Sequence, residues 1–206
     1  MPRPHYFLPI LDNLRVRDRG NTPHWEMPNA VYSVTFRLAD SLPAGTMDRL
    51  AHEREARERR ARTTMERMHV RRAFERDLDE HLDRSTGECA LGDPRIAQVT
   101  VETLQLFHHR YELFAWCVMP NHVHVVMQVH GEQSLARILH SWKSYTAHRA
   151  NAILGRTGTF WQREYFDRIV RDEEDLYRTI QYVVDNPVKA GLKDWPWVWR
   201  AGEAPA

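Results

Sequence analysis

Two histidines placed two positions apart are the first residues of this sequence that could do chemistry. His122 and His124 lie in an apolar run, HVHVVMQV, with the pattern of a strand. Because alternate residues of a strand face the same side, both imidazoles should share one face, while Val123, Val125 and Met127 share the other. Paired imidazoles can bind a metal ion. The pattern equally fits a pair that is only hydrogen-bonded or exposed, so a third ligand candidate is needed.

A tyrosine on the last predicted helix is the second candidate. Four apolar residues cluster on one side of this helix, which should face the core: Leu176, Ile180, Val183 and Val184. At about 100° per residue, Tyr182 lies roughly 150° from the centre of that side. Asn186 follows one turn later and Arg178 precedes by one turn, so both lie beside the phenol. Tyr182 is therefore either a reactive phenol or an amphipathic surface residue.

Residues 137–171 are locally basic, although the whole chain has a net charge of only +1. Aromatic residues alternate there with arginines, a mixture that suits phosphates and unpaired bases of single-stranded nucleic acid. We expect Lys143 and Arg149 to meet phosphates from the exposed side of their helix, and we add Trp142, Arg163 and Arg178 to the candidate DNA-binding residues. The alternative is a solvated basic face over ordinary core aromatics.

The elements that must position these residues form one domain. Their predicted order is strand, helix, strand, strand, helix, strand, helix, which favours a ferredoxin-like α+β fold with an antiparallel sheet. A charged helical segment, with a break near Thr63 and Thr64, is inserted after the first strand. We expect it to be solvent-exposed and without chemistry, or else an arm for nucleic acid or a partner. The predicted divisions are an arm at 1–29, a domain at 30–192 with its insertion at about 46–86, and a tail at 193–206.

Composition excludes several classes of protein. At 206 residues, 42% hydrophobic and 28% charged, the chain should bury a core and is neither disordered nor fibrous. Apolar runs stay below the roughly 18 residues that a membrane span needs, and the first 20 residues do not resemble a signal peptide. We therefore expect a cytoplasmic protein without a membrane partner.

Three separated motifs resemble one family. They are MPNHVH at 119–124, WQREY at 161–165 and YVVDNPVKAG at 182–191, and the likeness extends over about residues 21–200. This pattern is similar to the single-tyrosine HUH transposases associated with repetitive extragenic palindromes (REP). The resemblance implies an HUH endonuclease fold, with His122, His124 and Asn186 as metal ligands and Tyr182 as the nucleophile that attacks single-stranded DNA. The charged insertion departs from the minimal family core, and we expect it to leave catalysis untouched.

The chemistry implied by this resemblance is nicking and strand transfer through a 5′-phosphotyrosine. Two histidines alone favour Zn²⁺ or Mn²⁺, and the resemblance adds Mg²⁺, so we expect Mg²⁺ or Mn²⁺ as cofactor. The expected partner is single-stranded or hairpin DNA at the nucleoid, bound by a monomer or homodimer. A dedicated general base is not evident from the sequence. The alternatives are a hairpin-binding protein that does not cleave and a metal-dependent hydrolase that uses water.

Overall fold

The computed structural model describes residues 15–18, 23–106 and 109–203. Its strands are β1 Arg15–Asp18, β2 Pro23–Glu26, β3 Val31–Arg37, β4 Tyr111–Val118, β5 His122–Val129, β6 Phe166–Ile169 and β7 Val198–Arg200. Its α-helices are α1 Thr46–Arg60, α2 Thr64–Leu82, α3 Pro94–Gln105, α4 Leu135–Leu154 and α5 Glu173–Lys189. None of these helices has the length and apolar character to cross a bilayer.

The main sheet has five antiparallel strands in the order β6-β3-β5-β4-β7. Its first four strands, together with α3 and α4, have the order of a ferredoxin-like domain, so the predicted fold class is confirmed. Strands β1 and β2 pair separately. They lie in the segment predicted as an arm at 1–29; the rest of that arm up to residue 22 lies outside the described residues.

Local sequence signals explain most helix ends. The predicted break in the insertion is confirmed, because Thr63 caps α2 in a reciprocal pair of hydrogen bonds with Glu66. The side chain of Asp172 caps α5 by accepting from Asp175 N. Proline usually ends a helix, but α5 contains Pro187 and continues to Lys189. Pro187 has no N–H to donate within the helix. Helical hydrogen bonding resumes after it, since Ala190 N donates to the carbonyl of Asn186 at 3.0 Å.

The sheet separates two apolar layers. Val123, Val125 and Met127 pack in the larger layer, toward α3 and α4. On the opposite face, Cys117 and Val126 pack with Val183 of α5. Since side chains alternate along β5, His122 and His124 share one face, as predicted, and the structure shows that this is the face covered by α5.

The charged insertion is part of the packed structure. Leu50 of α1 and three residues of α2, Phe74, Leu78 and Leu82, are buried together with Phe166 of β6. The expectation of a solvent-exposed insertion is therefore wrong for this side of the helices. Residues 48–84 are mostly charged, but they include a narrow apolar stripe. This stripe packs against Phe166, which is distant in sequence.

The segment predicted as a tail at 193–206 joins the sheet over part of its length. Strand β7 pairs with β4 at the sheet edge. Trp195 Nε1–H donates to the carbonyl of Val118 at 2.8 Å, which fixes the chain just before β7. Residues 204–206 lie outside the described part of the chain.

Candidate active site

The two histidines of β5 point their outer ring nitrogens at each other. The Nε2 atoms of His122 and His124 are 2.9 Å apart, and the rings are perpendicular. Two nitrogen ligands at about 2.1 Å from one metal ion, at a right angle, would be about 3 Å apart. The observed separation therefore suits a shared metal ion as well as the direct hydrogen bond.

Neighbouring polar groups fix the orientation of both rings. Asn121 Nδ2 donates to the carbonyl of Leu82 at 3.0 Å, so its Oδ1 faces His122 and accepts from His122 Nδ1–H at 2.7 Å. The Nε2 atom of His122 consequently carries a lone pair. On the other ring, Nδ1 of His124 is 2.9 Å from the Thr35 hydroxyl. A hydroxyl can donate or accept, so Thr35 is compatible with either tautomer of His124.

Burial keeps both imidazoles neutral near pH 7. Desolvation and the neighbouring His124 ring hold the pKa of His122 well below its ordinary value. Desolvation, opposed by the charge of Asp83, lowers the pKa of His124 to about 4. Neutral imidazole is the form that binds metal ions, so proton competition for these nitrogens is weak at neutral pH.

Tyr182 lies next to His124. Its ring is perpendicular to that of His124, with centroids 6.1 Å apart, and Lys189 Nζ lies 4.4 Å from the tyrosine ring centre. Its hydroxyl donates to Oδ2 of Asp79, on α2, at 2.6 Å. Tyr182, His124, Asp79 and Arg178 line one cleft of ≈ 360 Å³, which we call the tyrosine cleft.

The phenol and its carboxylate partner have strongly altered acidities. Desolvation, reinforced by the negative charge of Asp79, raises the pKa of Tyr182 far above its ordinary value. Desolvation raises the pKa of Asp79 to about 7, although the tyrosine hydroxyl and Lys189 both lower it. Deprotonation of Tyr182 in this environment therefore needs a nearby group to accept the proton.

Asn186 is suited to complete a metal site. Its side chain is only 1% exposed, one turn after Tyr182 on α5, which packs against β4 and β5. Neither polar atom of its carboxamide has a hydrogen-bond partner in the described part of the chain. A buried amide oxygen without a partner is available as a ligand, because leaving it unpaired is unfavourable. Among residues 15–18, 23–106 and 109–203, no group of three or more His, Cys, Asp and Glu side chains is placed to hold a metal ion.

The predicted DNA-binding residues divide into buried and exposed sets. Trp142 is 1% exposed in the core and donates from Nε1 to the Tyr111 hydroxyl, so the prediction that it contacts DNA is wrong. The Trp142 indole lies on the core side of α4 and fills the protein interior, so it is not accessible to DNA. Arg149, Arg163 and Arg178 are exposed. Only Arg178 of the predicted DNA-binding residues lines the tyrosine cleft.

Lys143 has a different environment from the exposed phosphate contact that the sequence predicts. Its ammonium group donates to the carbonyls of Gln162 and Arg163, at 2.6 and 2.7 Å, and it is partly buried. Desolvation lowers its pKa to about 8. Lys143 therefore ties α4 to the WQREY segment.

Lys143→Ala is expected to lower the free energy of unfolding by about 1–3 kcal/mol, because two carbonyls lose a charged donor. Urea denaturation measures this difference. Arg149→Ala, on the exposed side of the same helix, should stay within about 0.5 kcal/mol of the unaltered protein. Equal stability of the Lys143→Ala and unaltered proteins would contradict the structural role.

Two functional candidates escaped the sequence analysis. Asp79 fixes the orientation of the Tyr182 hydroxyl, and Asn121 fixes the orientation of the His122 ring. One signal for Asp79 exists in the sequence: Arg72, Glu75, Arg76 and Asp79 have helical spacing, and all four line the tyrosine cleft. Without the position of α5, however, that polar stripe is indistinguishable from a solvated helix face.

Known proteins resemble the chain in sequence and fold. Residues 94–186 match the family model described as "Transposase IS200 like". A putative REP-associated tyrosine transposase from Haemophilus influenzae (strain ATCC 51907 / DSM 11121 / KW20 / Rd) is 30% identical over 104 residues, covering 44% of this chain and 59% of that protein. A REP-associated tyrosine transposase from Escherichia coli (strain K12) is 25% identical over 91 residues, covering 42% and 52%. The matches thus span little more than half of each relative's length.

A solved structure of a REP-associated tyrosine transposase bound to a REP hairpin shares the fold. It aligns with a TM-score of 0.50 and 14% identity, over 85% of this chain and 79% of that chain. At this identity the likeness concerns the arrangement of sheet and helices. It places the five-stranded sheet and its packed helices within the architecture of that protein.

Proposed function

We propose that the chain acts as an IS200-like transposase, the family whose model matches residues 94–186, and that it nicks and rejoins single-stranded DNA beside a hairpin. The reaction passes through a 5′-phosphotyrosine on Tyr182. The observation that carries this proposal is the phenol of Tyr182, packed against His124 of the converging histidine pair. A water-using hydrolase would not need this tyrosine.

Each residue of the site has a chemical task in this proposal. His122, His124 and Asn186 would hold a divalent metal, Mg²⁺ or Mn²⁺. Such a metal, when bound, would make the scissile phosphate more electrophilic. Tyr182 Oη attacks the phosphorus and displaces the 3′-oxygen of the preceding nucleotide. The phosphotyrosine retains a phosphodiester bond, so a second 3′-hydroxyl can reverse the step and join strands without ATP.

A covalent trapping experiment tests this function. Hairpin oligonucleotides with single-stranded flanks, taken from repeats near the gene, are labelled at either end and incubated with the protein and Mn²⁺ or Mg²⁺. We expect an adduct on a denaturing gel that carries only the label 3′ of the nick. Binding without adduct or cleavage would favour a non-cleaving hairpin-binding protein. Cleavage without an adduct, in rapid-quench samples, would favour a hydrolase.

The DNA is proposed to contact two exposed cations, Arg178 at the tyrosine cleft and Arg149 on α4, the helix that packs on the other face of the sheet. Arg178 lines the tyrosine cleft and pairs only with the exposed Glu174, at 2.9 Å, within the described residues. Arg149 is exposed on α4, where its guanidinium lies near the Tyr145 ring. Exposed guanidinium groups can exchange such weak contacts for DNA phosphates. The hairpin in the solved relative supports a hairpin as the substrate class.

Arg178→Ala and Arg149→Ala should each flatten the dependence of log affinity on log salt concentration. The expected change in slope is about 0.7 for each phosphate left unneutralised on single strands and about 0.9 on duplex, because fewer counterions are released. Fluorescence anisotropy over a range of salt concentrations measures the slope. Arg59→Ala and Arg60→Ala, in exposed positions where α1 ends, are matched controls. If only the Arg59→Ala and Arg60→Ala variants flatten the salt dependence, the DNA binds the charged insertion instead.

A further inference from the structure

We propose that Asp79 is the general base that accepts the proton of Tyr182 during DNA cleavage. This role rests on the proposed function, because it concerns the same nucleophile. It would give the charged insertion a catalytic residue, contrary to the sequence-based expectation that the insertion leaves catalysis untouched.

Geometry is the main support for this assignment. The distance from Tyr182 Oη to Asp79 Oδ2 is 2.6 Å, as expected for a hydroxyl that donates to a carboxylate. A general base must lie within hydrogen-bond reach of the proton it removes, and Asp79 meets that requirement without rearrangement. The two residues come from α2 and α5, 103 positions apart, and both line the tyrosine cleft.

The surroundings of Asp79 differ from those of the other buried carboxylate in the cleft. Asp175 accepts hydrogen bonds from Arg72, Arg168 and Arg171, which neutralise its charge. Asp79 is 6% exposed and forms no ion pair with any residue that the structure describes. A carboxylate held by three guanidinium groups is a weak proton acceptor. A buried carboxylate without a guanidinium partner is a stronger one.

The cleavage step balances with Asp79 as acceptor. The Tyr182 Oη–P bond forms, the P–O3′ bond breaks, and the phenol proton moves to Oδ2 of Asp79. The departing 3′-oxygen takes a proton from solvent water. During rejoining, a 3′-hydroxyl attacks the phosphotyrosine and gives its proton to water, while the Asp79 carboxylic acid returns its proton to the phenolate.

Asp79→Asn is the first test, because the amide oxygen can still accept from Tyr182 but cannot take up the proton. We expect single-turnover adduct formation on the hairpin substrate to slow by about 10²–10⁴-fold, with hairpin affinity and melting temperature retained. Asp77→Asn is the matched control, since Asp77 lies on the same helix and pairs with Arg57. An Asp79→Asn rate equal to or above that of the unaltered protein would overturn the proposal; a higher rate would identify an inhibitory contact instead.

A second measurement separates proton acceptance from positioning. Replacing Tyr182 with 3,5-difluorotyrosine makes the phenol more acidic, so the need for a base should decrease. We expect the rate penalty of Asp79→Asn to shrink at least tenfold in this background. An unchanged penalty would overturn the role as base and leave one of orientation. An unaltered protein that forms no adduct would refute the proposed function itself, and this role with it.

Discussion

Tyr182→Phe is expected to abolish the covalent protein–DNA adduct while leaving hairpin affinity within a few fold. The change removes only the hydroxyl that would attack the phosphorus, and the phenylalanine ring can keep the packing against His124. Asp79 loses its hydrogen-bond donor in this variant, so melting temperature should be recorded alongside. Denaturing gels with labelled hairpin substrate measure the adduct, and anisotropy measures the affinity.

The best control lies on the same helix. Tyr177 is 66% exposed, so Tyr177→Phe removes a hydroxyl from α5 without touching the tyrosine cleft. This variant should form adduct at the rate of the unaltered protein. Tyr145 and Tyr165 are the other tyrosines to consider. A phosphotyrosine peptide that maps to any of these three residues would refute the assignment of Tyr182.

His122→Ala and His124→Ala should each eliminate metal-dependent cleavage. Removing one of two converging nitrogens leaves too few ligands, and the loss of a metal that polarises the phosphate is worth several kcal/mol in the barrier, or about 10³-fold or more in rate. The fold should persist, because a metal at an open catalytic site seldom holds together a core of this size. Circular dichroism and single-turnover cleavage with Mn²⁺ measure the two properties.

Metal binding can be followed without activity. Mn²⁺ should raise the melting temperature of the unaltered protein, since a ligand that binds only the folded state stabilises it, and this shift should vanish in both alanine variants. His148→Ala, exposed on α4, should retain the shift. Full cleavage by His122→Ala in the presence of EDTA would contradict a metal site at this pair.

The structural features that one local sequence pattern determines could be predicted from the sequence. Alternation along β5 places His122 and His124 on one face because strand geometry admits no other arrangement. The break at Thr63 was predictable because helix capping involves neighbours within four residues. The topology followed from the order of the elements, since the connections of a ferredoxin-like domain restrict how such strands pair.

The sequence could not reveal contacts that depend on the placement of distant elements. Asp79 is one acid among the many of residues 48–84, and its role exists only because α2 packs beside α5. Trp142 and Lys143 are adjacent, yet one fills the core and the other binds two carbonyls of a later segment. Residue type suggested DNA contacts for both, whereas tertiary packing decides which groups remain free for a ligand.

The hydrogen bond from Asn121 to the carbonyl of Leu82 has a consequence for protein engineering. It connects the end of α2 to the residue that orients His122, so the insertion and the histidine pair belong to one cooperative unit. A shortened variant that joins residue 45 directly to residue 87 would also expose Phe166, which α2 covers. Shortened versions of this protein should therefore retain α2 and remove residues elsewhere in the chain.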